Sequence, residues 1–329
     1  MALTLGAPGT RPGAPPERPT SRARRRVREW LTVLGFMAPT LAGLLLFLVY
    51  PLLASVYFSF TKFDLINPPQ WVGLRNWSFL LQDPTVRVAA YNTLWLVVVM
   101  VPARMVGALT TGILLTRFRR GAGVYRTLFY LPALAPPVAA TLAFVFLLKP
   151  GTGPVNTLLA HLGIEGPLWF SSPQWAKPSL VLLALWGVGD LMIIFLAALL
   201  DVPQELYEAA SLDGANALQQ FRAVTRPAIS PVILFAAVTG VIQTLQYFTE
   251  AAVAASVAAG QANSGGGISG TFGYPANSTY TYPLWLYVAG FRYGALGYAN
   301  ALAVVLFVVS IVITGILLRR FRSFLGSDR

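Results

Sequence analysis

Cysteine is absent from this chain of 329 residues, and histidine occurs once, at His161. Without thiols there is no disulfide framework, no thiolate metal site and no cysteine nucleophile. A lone imidazole argues against a histidine-built zinc centre or a Ser/His/Asp triad, and His161 reads as an exposed residue of an outside loop. Lysine is nearly missing as well: Lys62, Lys149 and Lys177 are the whole set, and none follows a glycine. The Gly-Lys pair of a phosphate-cradling P-loop is therefore lacking. Charge in general is scarce, at 11% of residues, where soluble domains carry about a quarter. No metal and no cofactor is expected.

What fills the space is apolar. Hydrophobic residues make up 56% of the chain and the mean hydropathy is +0.63, which places it in a bilayer. A charged side chain at mid-bilayer costs roughly 2.5–3.5 kcal/mol on insertion scales, so charge-free stretches mark the spans. Six are predicted: within Leu31 to Phe60, Asn92 to Thr116, Leu128 to Leu148, Ser179 to Leu200, Ala228 to about Ala251, and Gly297 to Leu318. Prolines 39, 51, 102, 132, 136 and 137 interrupt several, as membrane helices tolerate when neighbours or waters satisfy the freed carbonyls.

The net charge of +12 would suit nucleic acid, but its distribution follows a membrane topology and no nucleic-acid partner is expected. The amino-terminal tail, the loops after spans two and four, and the carboxyl tail hold seven, four, two and four basic residues, 17 of the 24. Six lie on the other side: Lys62, Arg75, Arg87, Lys149, Lys177 and Arg292. Arg104 alone falls inside a span. The positive-inside rule makes the first side cytoplasmic and puts both termini there. Residues 1–30 read as a basic tail, disordered to Ser21 and retained rather than cleaved. Residues 31–318 form the membrane domain, and 319–329 a second tail. Gly260 to Thr281 is an outside loop, and the aromatic segment after it (Tyr282, Trp285, Tyr287, Phe291, Tyr293) suits the water–lipid boundary.

One connection does not look like a loop. Asp201 to Pro231 is too long to be idle. Pro203 suits a helix first turn, Glu205 and Glu208 favour early turns, and Ala209 and Ala210 are strong helix formers. Asp213-Gly214 marks a turn, and a second helical piece with Phe221 and Val224 runs to a break at Pro227. The pattern also suits an amphipathic helix lying on headgroups. Its acidic first piece sits poorly on anionic lipid, which favours a protein partner.

Glu208-Ala209-Ala210, three residues, Gly214, nine residues and then Val224-Thr225-Arg226-Pro227 resembles the EAA loop of ABC-importer permeases, with Arg226 where that pattern has leucine. Further stretches resemble the carbohydrate-uptake permeases of the maltose and glycerol-3-phosphate type. They are Tyr50-Pro51 with Ser59-Phe60, Val72-Gly73-Leu74-Arg75-Asn76, Asn92-Thr93, Arg126-Thr127-Leu128-Phe129 with Leu131-Pro132, and Gly297-Tyr298-Ala299-Asn300-Ala301. Two segments depart from the family: a Ser264-Gly265-Gly266-Gly267 loop without the usual following proline, and Asp190-Leu191 in place of a Pro-Phe pair. The resemblance implies an all-α polytopic protein with the six-helix type I importer fold. It also implies a second permease subunit in a heterodimer, two ATP-binding subunits, an extracellular solute-binding protein, a sugar-like solute and contact with membrane lipid. Within it, Glu208 is a charged anchor in a groove of the ATPase, Ala209 and Ala210 are close-approach positions, and Asp213-Gly214 is the turn.

Intramembrane charges are functional suspects because each must be paired or hydrated. Arg104, Asp190 and Glu250 are the three. They line a solute path with Gln243, Gln246 and Tyr247, which share a helical face by their i, i+3, i+4 spacing, or Arg104 pairs with Asp190 or Glu250 merely to hold the bundle. An ion-gradient-driven secondary transporter is the alternative function, weakened by the small span number and the lack of a repeated half. An intramembrane enzyme has too few catalytic groups.

Overall fold

The computed structural model describes residues 22–118, 120–260 and 272–325. The tail to Ser21, the Ser264-Gly267 stretch and the last four residues, for which a tail and a loop were expected, lie outside the described residues. Two compact units are distinguished, Met1–Ala54 and Ser55–Arg329. The first contains α1 (Arg22–Leu44), one turn of π-helix (Leu45–Val49) and the start of α2 (Tyr50–Phe58). Helix therefore begins at Arg22, inside the segment read as a tail, because arginine is a good helix former. The π turn precedes Pro51, which has no N–H to give and whose ring crowds the carbonyl one turn back. Large apolar side chains along this unit are exposed, as suits a lipid-facing helix.

The second unit opens with the end of α2 and a short hairpin, β1 (Thr61–Lys62) against β2 (Gln70–Trp71), antiparallel with Thr61 opposite Trp71. Its turn is held by Asp64, whose carboxylate accepts from the amides of Ile66 (3.0 Å) and Asn67 (2.8 Å) and from Asn67 Nδ2 (2.7 Å). The Asn67 hydrogen bonds hold this carboxyl below the ordinary aspartate range. Helix α3 (Arg75–Gln82) follows, and Asn76 Nδ2 donates to the carbonyls of Ser59 and Thr61, both at 2.9 Å.

Beyond it come α4 (Pro84–Thr116), α5 (Ala122–Tyr130), α6 (Pro137–Leu147), α7 (Pro154–His161), α8 (Pro173–Trp186) and α9 (Gly189–Leu200). The chain continues through α10 (Gln204–Leu212), α11 (Ala217–Gln220), α12 (Arg226–Ala228), α13 (Ser230–Leu245), α14 (Thr249–Ala258), α15 (Tyr282–Tyr287) and α16 (Leu296–Leu325). Helix α4 is the axis: its central and C-terminal residues pack on α8, α9 and α13, and its start on α15. Asp83 caps it by accepting from the Thr85 amide, and Pro84 takes its first turn.

Among the described residues, three helical runs are long and apolar enough to cross a bilayer unaided: Glu29–Phe58, Pro84–Thr116 and Leu296–Arg320. The other expected spans are broken. Ala122–Leu134 meets Pro137–Leu147 at 97°, Pro173–Trp186 meets Gly189–Leu200 at 50°, and Ala217–Ala228 meets Ser230–Leu245 at 70°. The six-helix permease fold is thus reached with bent pairs. The first bend is local steric chemistry. Ala135 and Pro136 each precede a proline, which disfavours helical ψ, and both adopt ψ of 133°. The fifth span does not run on to Ala251: α13 stops at Leu245, and α14 starts after a break through Gln246, Tyr247 and Phe248. Span two begins at Pro84 rather than Asn92. Tyr282, expected at the lipid boundary, is core, with its hydroxyl donating to the Leu302 carbonyl at 3.0 Å.

Gly297-Tyr298-Ala299-Asn300 clasps α16 to the outer elements. Gly297 N donates to the Phe63 carbonyl at 3.1 Å, Tyr298 Oη donates to Asp83 Oδ2 at 2.7 Å, and Asn300 Oδ1 accepts from Ser55 Oγ. A Cβ on Gly297 would lie 1.9 Å from the Thr61 carbonyl oxygen, whereas one on Gly315 of the same helix meets nothing within 4 Å. Gly297→Ala should therefore cost about 1–3 kcal/mol through overpacking. It should lower the thermal unfolding midpoint of the detergent-solubilised protein, while Gly315→Ala leaves it in place.

Candidate functional site

Three helix breaks converge on one cavity of about 430 Å³. Pro132, Ala133 and Ala135 come from the bend before α6, Trp186, Gly187 and Asp190 from the α8–α9 bend, and Gln246 to Glu250 from the α13–α14 break. Arg104 enters from α4 and Gln243 from the last turn of α13. In hydrocarbon an interrupted helix strands carbonyls and amides, so breaks are tolerated where they line a polar cavity or other protein. The α8–α9 bend also needs glycine: a Cβ on Gly189 would sit 2.3 Å from the Phe129 carbonyl oxygen.

All six side chains expected to line a path, Arg104, Asp190, Gln243, Gln246, Tyr247 and Glu250, border this cavity. The geometry that unites them differs from the expected one. Only Gln243 belongs to α13, and Gln246 and Tyr247 reach the cavity because the helix has ended. Arg104 Nη2 donates to Asp190 Oδ1 (3.2 Å) and Oδ2 (3.4 Å), and Arg104 Nη1 donates to Gln243 Oε1 (3.4 Å). Asp190 Oδ1 also accepts from the Leu191 amide at 2.7 Å. The ion pair with Asp190 exists and borders the cavity, so one arrangement joins two helices and lines the hollow. Its side chains are 20% and 50% exposed, which keeps the net attraction near 1 kcal/mol. Breaking it without hydration is dearer, since each charge then stands alone at membrane depth. A second cavity of about 140 Å³ shares Arg104, Asp190, Gln243 and Thr244 with the first and extends along Ile194, Phe235 and Thr239. The Arg104–Asp190–Gln243 cluster stands between the two.

Two polar atoms in the first cavity's wall are buried without a hydrogen-bond partner, Arg104 Nε and Tyr247 Oη. Both are the kind of group a hydroxylated solute or water satisfies.

Sequence reasoning missed the polar knot above the cavity. Lys177, counted with the outside loops, lies in α8. Its Nζ donates to Asn92 Oδ1 at 3.0 Å and sits 4.8 Å from the Tyr91 ring centre and 5.1 Å from that of Trp95. Asn92 Nδ2 in turn donates to the carbonyls of Asn277 (2.7 Å) and Tyr280 (3.1 Å), and Thr93 Oγ1 accepts from the Tyr282 amide (2.8 Å). Asn92-Thr93 thus anchors residues 277–282 onto α4. The signal available was the Asn-Thr pair inside an otherwise apolar span.

At the other end of α13, the Asp201–Ile229 connection is helical as expected. Pro203 stands just before α10 rather than within it. Helix α10 ends in a Schellman motif: Gly214 has φ of +78°, Gly214 N donates to Ser211 O (3.0 Å) and Ala215 N to Ala210 O (2.9 Å). Asn216 and Gln219 then form a capping box for α11. The second piece passes Pro227 and bends instead at Ile229, because a π turn over Phe221–Thr225 absorbs the proline. Glu208, Ala209, Asp213 and Gly214 are exposed, Ala210 half-buried, and Leu212 is 90% exposed. The underside is tied down, with Tyr207 Oη and Thr225 Oγ1 2.9 Å apart and Gln220 Nε2 donating to Ser211 Oγ (2.9 Å) and Ala215 O (3.1 Å). Among the described residues no cluster of three or more metal-binding side chains occurs.

Comparison with known proteins gives this geometry a context. Residues 105–323 match the family described as binding-protein-dependent transport system inner membrane component. The chain is 34% identical over 300 residues to the probable ABC transporter permease protein YesP of Bacillus subtilis (strain 168), covering 91% of this chain and 93% of that protein. It is 31% identical over 290 residues to the sulfoquinovosyl glycerol transport system permease protein SmoG of Agrobacterium fabrum, covering 87% and 89%. A crystal structure of a bacterial alginate ABC transporter, in complex with an alginate pentasaccharide-bound periplasmic protein, contains a chain of the same fold. That chain has a TM-score of 0.75 at 22% identity, over 92% of this chain and 98% of its own.

The tie beneath α10 has a measurable consequence. Tyr207→Phe removes one side of the 2.9 Å contact to the buried Thr225, a loss of about 1 kcal/mol. Amide hydrogen exchange over α10 should quicken about fivefold while that of α4 stays unchanged.

Proposed function

Because the chain belongs to the binding-protein-dependent transport system inner membrane components, we propose that it passes a sugar or related polyol across the plasma membrane as one permease of a heterodimer. In this reading both termini are cytoplasmic, as the arginine distribution favours. The energy comes from two separate ATP-binding subunits, since no Gly-Lys phosphate loop occurs in the sequence, and an extracellular solute-binding protein delivers the solute. Residues 31–318 are the permease domain and 201–231 its coupling segment. The named glycosyl-glycerol solute of the Agrobacterium relative supports the solute class.

The observation that carries the reading is the placement of α13. One end of this helix presents Gln243 to the cavity, and the other bears the elbow of α10 to α12. Sixteen residues make a rigid strut of about 24 Å. A partner gripping Glu208, Ala209 and Ala210, with the Asp213-Gly214 turn beside it, would move that strut. The movement reaches the wall of the path directly. Inside the path, the Gln243 and Gln246 amides and the Tyr247 hydroxyl suit the donor and acceptor pattern of sugar hydroxyls. Arg104, Asp190 and Glu250 supply charged hydrogen-bonding groups without a large net charge. Alternating access then amounts to opening the two cavities in turn across the Arg104–Asp190–Gln243 cluster.

Uptake into vesicles carrying the assembled transporter should require ATP, be blocked by vanadate and survive collapse of the proton gradient; gradient-driven uptake without ATP would reject the reading. Glu208→Lys should keep membrane insertion and cut uptake per ATP hydrolysed at least tenfold. Asp190→Asn, which keeps the shape and loses the pair, should alter the solute concentration for half-maximal uptake several-fold with ATPase binding intact. An unchanged half-maximal concentration would remove Asp190 from the path.

A further inference from the structure

A third hollow, a groove of about 330 Å³ between α13 and α16, lies apart from the path. Ile233, Leu234, Ala237 and Leu317 form its apolar wall, and Arg226, Arg320 and Ser230 stand at one end. That end is the cytoplasmic one in the topology proposed above, since Arg226 belongs to the coupling elbow and Arg320 closes the last span. We propose that this groove binds an anionic phospholipid of the cytoplasmic leaflet, its phosphate held between Arg226 and Arg320 and an acyl chain lying along Ile233, Leu234 and Leu317.

The two arginines are the first argument. A basic pair at the mouth of an apolar groove between membrane helices has the charge and the depth of a phospholipid headgroup site, and guanidinium meets phosphate in two-pronged fashion. Ser230 is the second. Its residue is 3% exposed and its hydroxyl finds no hydrogen-bond partner among the described residues, an arrangement that a phosphate or glycerol oxygen relieves. The third is position. The groove lies at the 70° bend between Ala217–Ala228 and Ser230–Leu245, so a lipid seated there would hold the coupling elbow at the membrane surface.

The site rests on the proposed topology and not on the solute. The test uses the purified transporter assembly in detergent, exchanged with equimolar phosphatidylglycerol and phosphatidylcholine and examined by native mass spectrometry. The wild type should retain phosphatidylglycerol in preference. Arg226→Leu and Arg320→Leu should each reduce that retention about fivefold, the worth of one basic residue near an anionic surface, and Ala237→Trp should displace the lipid by filling the groove. Soluble glycerol phosphate at millimolar concentration should not compete, which separates a membrane lipid from a cytosolic phosphate compound. Equal retention of the two lipids, retention indifferent to both arginine changes, displacement by glycerol phosphate, or a partner subunit found seated in the groove would each overturn the proposal. ATP-driven uptake persisting through such a result would leave the proposed function standing and reject the lipid site alone.

Discussion

A backbone amide or carbonyl left without a partner in hydrocarbon costs several kcal/mol, and this constraint organises the molecule. Among the described residues three apolar helical runs are long enough to cross unaided, and three pairs are bent by 50° to 97°. Two of those bends, at Ala135-Pro136 and around Gly187 to Gly189, meet the α13–α14 break at one cavity. The cavity is therefore the consequence of the breaks as much as their excuse. Polar side chains gather there because the backbone has already made the neighbourhood polar.

The same economy explains the charges. Arg104 and Asp190 lie on helices that pack closely, at a level where either alone would oppose insertion, and they face each other across the hollow at 3.2 Å. Partly exposed, the pair adds little stability, and its two side chains border both cavities.

Much of this was legible in the residues. The six apolar stretches, the arginine asymmetry and the helical character of Asp201 to Pro231 follow from energies large enough to be read position by position. The cavity residues Arg104, Asp190, Gln243, Gln246, Tyr247 and Glu250 could be named because polar groups in apolar runs are costly. Helix ends were less legible. The span expected to reach Ala251 stops at Leu245, and the break expected at Pro227 comes at Ile229, because a π turn over Phe221–Thr225 absorbs the proline. The partners of Lys177 were not legible at all. Its ammonium, near the start of α8, is held by Asn92 and two aromatic rings that are far away in sequence.

By itself the order of residues determined that the chain belongs in a bilayer, where its apolar stretches fall and that the connection after the fourth of them is helical. Those properties are sums of local transfer energies and propensities, and they need no neighbours. Tertiary structure alone decided that three breaks share one hollow, that Arg104 chooses Asp190, and that Arg226 and Arg320 flank a common groove. Each of those is a meeting of residues many turns apart, settled by how α4, α9, α13 and α16 pack, and side-chain pattern along one helix carries no information about its partner's register.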